Sequence, residues 1–139
     1  MSEKKVAVRY LSKSGNTGKL ANRIAKTAGC KAETIDVGIN EEVNILFLGA
    51  SVYWGGIDKK VKQFIKGLDK NRIGKVVIFS TSALAERGYP EIKKCLVENG
   101  IQVAEEEFYC RGQFTALHIG RPDEKDLAAV EKFARNAIK

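Results

Sequence analysis

Six consecutive residues, Ser12-Lys13-Ser14-Gly15-Asn16-Thr17, concentrate hydroxyl and amide groups between a short apolar run and an amphipathic one. Backbone N–H groups at the start of a helix are unpaired, point outward and carry the positive end of its dipole, a setting that suits a phosphate. Ser12, Ser14 and Thr17 offer hydroxyl donors, Asn16 an amide, and Gly15 allows close approach of the main chain. The spacing is neither G-x-x-x-x-G-K-S/T nor G-x-G-x-x-G. With no obligatory lysine or magnesium ligand, the loop fits a static terminal monophosphate better than phosphoryl transfer. A serine-rich turn that only caps its helix would use the same residues.

Two further loops carry candidate chemistry. In "GASVYWGGID" the segment Ser51, Val52, Tyr53, Trp54, Gly55 and Gly56 places the only tryptophan of the chain beside two glycines. A large aromatic there can stack on a planar ring, or pack over a neighbouring helix. In "STSALAERGYP" the hydroxyls and backbone amides of Thr81, Ser82, Ala83 and Gly88 can grip the edge of a heterocycle, with Glu86-Arg87 solvated. Cys110 reads as a small buried residue, and His118, the sole histidine, as an exposed loop side chain. No paired carboxylates, metal cluster or Ser-His-Asp set emerges.

The elements that must position these loops follow from apolar periodicity. Val6–Leu11, Ile45–Ala50 and Lys75–Thr81 read as buried strands, Ala32–Val37 as a weaker edge-like one, and Ile101–Tyr109 as a last strand whose Glu105, Glu106 and Glu107 mark an exposed edge. Between them, Leu20, Ala21, Ile24, Ala25 and Ala28 fall at helical spacing and Gly29 ends that helix. Asp58 caps a helix with Val61, Phe64, Ile65 and Leu68 on one face, and Lys59, Lys62 and Lys66 on the other. Pro90 opens a third helix that stops at Asn99-Gly100, and Asp123 caps a fourth with Leu127, Val130, Phe133, Ala134 and Ile138 inward. Buried strands alternating with crossover helices predict a single α/β domain over 1–139, with a parallel sheet covered on both faces. Ligands of such sheets bind beyond the carboxyl ends of the strands, where all three loops should meet.

Composition is consistent with this. The chain has 139 residues and a net charge of +7. Residues 1–75 hold fifteen Lys and Arg against seven Asp and Glu, a net +8, so the basic field lies in the half with the two best loops. That field favours phosphate-bearing ligands or acidic protein faces. Three widely spaced cysteines match no zinc or redox pattern, and no stretch resembles a signal peptide or a membrane span. Reduced thiols in a cytoplasmic protein without membrane insertion are expected.

At this point the chain resembles the flavodoxin family. The family's phosphate loop, S/T-x-S/T-G-x-T, is satisfied at every position from Ser12 to Thr17. "GASVYWGGIDKKVKQFI" is similar to its flavin-loop segment, and "FYCRGQF" and "GRPDEKDLAAVEKFA" to the last strand and helix of short bacterial members. The resemblance covers essentially the whole chain. It implies a flavodoxin-like three-layer sandwich with strand order 2-1-3-4-5 and non-covalent FMN. The phosphate would sit on Ser12 to Thr17, with the isoalloxazine between the Tyr53-Trp54 loop and residues Thr81 to Gly88. Three departures stand out: the basic charge, a third loop whose only aromatic is Tyr89, and no acidic run near the ring, which argues against a very low potential.

The function expected is an FMN-dependent electron carrier, in which the protein sets the potential and presents the ring edge to a partner oxidoreductase. Lys59, Lys62 and Lys66 are candidate contacts for an acidic face on that partner. An FMN reductase using NAD(P)H or quinone would share the architecture, but 139 residues leave little chain for an added substrate pocket. Nucleic acid is disfavoured, because the lysines lie on amphipathic helices with no aromatic interleaving or recognised motif.

Overall fold

The computed structural model describes residues 4–12, 15–51, 57–82, 89–111 and 120–139. In chain order they form β1 (Val6–Leu11), α1 (Asn16–Ala28), β2 (Ala32–Thr34), β3 (Val43–Ser51), α2 (Lys59–Lys66), β4 (Ile73–Ser82), α3 (Tyr89–Glu98), β5 (Val103–Arg111) and α4 (Glu124–Ile138). The five strands pair in parallel in the order β2-β1-β3-β4-β5, as expected. Among the described residues no helix is long and apolar enough to cross a membrane.

Alternation along the strands builds the two cores. Val8, Ile45, Phe47, Val77 and Phe79 face Leu20, Ile24, Val130 and Ala134 of α1 and α4. Their sequence neighbours Ala7, Leu46, Leu48, Val76 and Ile78 face Val61, Ile65, Ile92 and Leu96 of α2 and α3. The central strands are therefore buried on both sides, which is why they read as continuous apolar runs. Gly49 belongs to this packing: the Phe79 ring occupies the place a Cβ would take.

The strand ends differ from expectation for local reasons. β2 stops at Thr34, not Val37, because the chain turns and its carbonyls at Val37 and Gly38 accept hydrogen bonds from the buried Arg9 guanidinium at 2.8 and 3.1 Å. β5 begins at Val103, not Ile101, because the Ile101 N–H still closes α3 on the Leu96 carbonyl. At the other end it runs on to Arg111, pairing Cys110 with Thr81. A register irregularity between its Val103 and Glu107 pairings accommodates Glu105 and Glu106, both exposed, on this edge strand. Such a bulge blunts pairing with another chain. The caps fall where expected: Asp58 accepts from the Lys60 N–H, and Asp123 and Asp126 form a reciprocal capping box.

Candidate functional site

Strands β1, β3 and β4 are neighbours, so their carboxyl ends lie side by side beneath the N-terminus of α1. β1 hands over to α1 within a few residues. The Ser12 hydroxyl accepts the Gly15 N–H at 2.9 Å, and Gly15 takes a left-handed conformation, φ 87°, that turns the chain into the helix. No acidic side chain stands in the first turn of α1. The other three helices each carry a carboxylate there or at the cap: Asp58, Glu91 and Asp123. Among the described residues, the first turn of α1 therefore holds no acidic side chain to compensate the positive end of its dipole.

Three hydroxyls from three elements close on one another at this point. Thr17 Oγ1 lies 2.7 Å from Ser51 Oγ and 2.8 Å from Thr81 Oγ1, with 3.4 Å between the last two. Thr17 is 0% exposed, Thr81 1% and Ser51 8%. The register explains the meeting, since Ser51 pairs with Thr81 across adjacent strands and both side chains face α1. The triangle joins Thr17, where the first loop has already passed into α1, to Ser51 and Thr81, at the strand ends from which the other two loops depart. It also engages the Thr17 hydroxyl, expected to reach toward a phosphate, in bonds within the protein. Asn16, at the first helical position, is buried beside it.

Of the other residues singled out, Ser82 closes β4, while Lys13, Ser14, Val52, Tyr53, Trp54, Gly55, Gly56, Ala83 and Gly88 lie outside the described residues, as does His118. Cys110 continues the row from Ser51 and Thr81 across β5 and is buried, as expected. Burial, then the nearby Asp126 carboxylate, push its thiol up to about 12. That keeps it protonated and unreactive at neutral pH. Asp126 itself is held below the ordinary carboxylate range by a bidentate bond from Arg121, at 2.7 and 3.0 Å.

The candidate docking lysines separate into two kinds. Lys59 and Lys66 are exposed, whereas Lys62 turns toward α3 and pairs with Glu91 at 2.9 Å. The hydrogen bond to Glu91 holds its ammonium above the ordinary lysine range. Sequence spacing alone does not reveal this pairing. The available signal was the acidic residue directly after Pro90, in the first turn of α3.

The sequence pattern of the flavodoxin domain matches residues 7–136. No curated protein sequence gives a significant match. Among solved structures, one similar to this chain is an archaeal flavodoxin, with a TM-score of 0.76 at 18% identity over 95% of this chain and 94% of that one. Flavodoxin 2 of Bacillus cereus gives 0.68 at 21% identity over 94% and 95%. Rubredoxin oxygen:oxidoreductase of Desulfovibrio gigas gives 0.68 at 18% identity, matching 94% of this chain but 34% of that longer one. At these identities the likeness is one of fold.

Proposed function

Since the chain belongs to the flavodoxin domain family, we propose that it binds FMN without a covalent link and passes electrons to or from a partner oxidoreductase. The observation that carries this reading is the hydroxyl triangle that links α1 to the ends of β3 and β4, beneath a helix N-terminus whose first turn holds no acidic side chain. No carboxylate opposes an anion in the first turn of α1. FMN, when bound, would supply the redox chemistry; the residues of this chain hold it and present it. Gly15 and the amides of the first turn suit the phosphate, with Ser12 shaping the loop through the Gly15 N–H. The loop of Tyr53 and Trp54 follows Ser51 and the loop of Ala83 to Gly88 follows Ser82, so both leave the sheet at the carboxyl ends of β3 and β4, which supports assigning them to the ring.

The partner surface is the exposed side of α2. Lys59 and Lys66 are exposed and, among the described residues, form no ion pair, whereas Lys62 is held by Glu91. Charges of this kind raise association rates more than affinity.

A titration of flavin-free protein with FMN and riboflavin, followed by the fluorescence of Trp54, tests the reading. Both ligands should quench the single tryptophan. Ser14→Ala should weaken FMN about tenfold or more, since a hydrogen bond to a charged group contributes about 1.5–3 kcal/mol, and leave riboflavin unchanged. Equal losses for the two ligands would place the phosphate elsewhere. Unquenched emission would remove Trp54 from the ring. Rapid NAD(P)H oxidation by the purified protein with quinone would favour a reductase over a carrier.

A further inference from the structure

Glu91 stands in the first turn of α3, but its carboxylate serves another element. Oε1 accepts the main-chain N–H of Ile57 at 3.1 Å, and Oε2 meets Lys62 Nζ at 2.9 Å. Ile57 is the residue through which the chain returns from positions 52–56 to α2. Its side chain is buried in the core, and the following Asp58 caps α2. Glu91 in turn lies just beyond positions 83–88, on a helix anchored by a 3.1 Å bond from the Tyr89 hydroxyl to the Ala104 carbonyl. A first-turn carboxylate ordinarily compensates the dipole of its own helix. This one also takes an amide 34 residues away, so that a single side chain joins the exits of both loops assigned to the flavin ring.

We propose that Glu91 is a positioning residue that ties the chain at Ile57, where it enters α2, to the first turn of α3, and so sets affinity for the ring through the two segments that end at these anchors. The proposal rests on the flavin reading of the site. The bond to the Ile57 amide carries the effect. The ion pair contributes little, because the Lys62 and Glu91 side chains are 43% and 34% exposed and solvent screens them.

Three variants separate these contributions. Glu91→Gln keeps an acceptor for Ile57 and loses the charge, Lys62→Met removes the ion pair alone, and Glu91→Ala removes both. Glu91→Ala should raise the Kd of FMN and of riboflavin by the same factor, about three- to tenfold for a partly exposed hydrogen bond. Glu91→Gln and Lys62→Met should stay within about twofold of wild type by the same reasoning. In flavin-free protein, Glu91→Ala should also make Trp54 more accessible to acrylamide, and Glu91→Gln should restore protection. A purely structural role would lower the melting temperature and leave both readouts of the folded protein unmoved. Wild-type affinity and quenching in Glu91→Ala, or a Lys62→Met variant that reproduces it, would overturn the proposal. A wild-type protein that binds no FMN would refute the flavin reading instead, and the acrylamide comparison still decides whether Glu91 holds the loop.

Discussion

Thr17→Val removes one oxygen from the centre of the hydroxyl triangle and leaves the shape of the side chain almost unchanged. The variant loses the 2.7 Å bond to Ser51 and the 2.8 Å bond to Thr81. Among the described residues those two hydroxyls then have each other as partners, at 3.4 Å, where Thr81 is 1% exposed. A neutral hydrogen bond contributes about 0.5–1.5 kcal/mol net, and a buried group left without its partner costs about 1–3 kcal/mol. Partial compensation between Ser51 and Thr81 brings the expected loss to about 2 kcal/mol. For a chain of this length that corresponds to about 8 °C in melting temperature. Urea unfolding of flavin-free protein is the assay, because bound ligand would add its own stabilisation.

The distinguishing comparison is the triple variant Thr17→Val, Ser51→Ala, Thr81→Val. With every polar partner removed together, no hydroxyl is left unsatisfied, so the triple should be no less stable than Thr17→Val alone. A Thr17→Val variant within about 0.5 kcal/mol of wild type would show that the hydroxyls satisfy one another some other way, since that is the range of unremarkable surface changes. A triple whose cost equals the sum of its singles would show that they act independently, and the picture of one shared cluster would fall.

Three other outcomes follow from the charges. Cys110, raised to about 12, remains a neutral thiol at pH 8, so alkylation of the native protein read by mass spectrometry should reach Cys95 ahead of it; equal labelling would refute its burial. The unfolded chain loses that proton near 9.0, so the contribution of Cys110 to stability should decline as pH rises from 9.0 toward about 12, a decline absent in Cys110→Ala. Changing Lys59 and Lys66 to Glu should slow electron transfer with the cognate partner at low salt, with the difference fading as the screening length falls to about 3 Å at 1 M. Stopped-flow rates indifferent to both changes would leave these lysines as a solvated face.

Much of the architecture was legible because the central strands obey one rule. The centre of β1, Ala7–Arg9, and the cores of β3 and β4 are buried on both faces, so these strands announce themselves as largely apolar runs, and helical periodicity between them implies crossovers and a parallel sheet. The family motif then indicated the strand order. Arg9 was the exception within β1. A charged residue in a strand covered on both sides needs acceptors, and it finds them in the carbonyls of Val8, Val37 and Gly38. Supplying those carbonyls is what bends the chain away after Thr34 and shortens β2. Periodicity carries no trace of that, because the demand arises on another strand.

The same limit decided which site residues could be read correctly. Ser12, Thr17, Ser51 and Thr81 were recognisable as a group by type, each hydroxyl lying in or at the start of a loop. Their mutual bonds depend on the register of β3 against β4, which brings Thr81 to Thr17 across 64 residues of sequence. Lys62 shows the cost of reading one element alone. At three- and four-residue spacing it belongs to a stripe with Lys59 and Lys66, and the stripe is real as helix geometry. But α2 packs beside α3, and the lysine nearest that seam meets the one carboxylate in the first turn there. Helical spacing fixes which side chains share a face. Whether a charge on that face is available to a partner depends on the neighbouring helix, and for Lys62 that neighbour has already taken it.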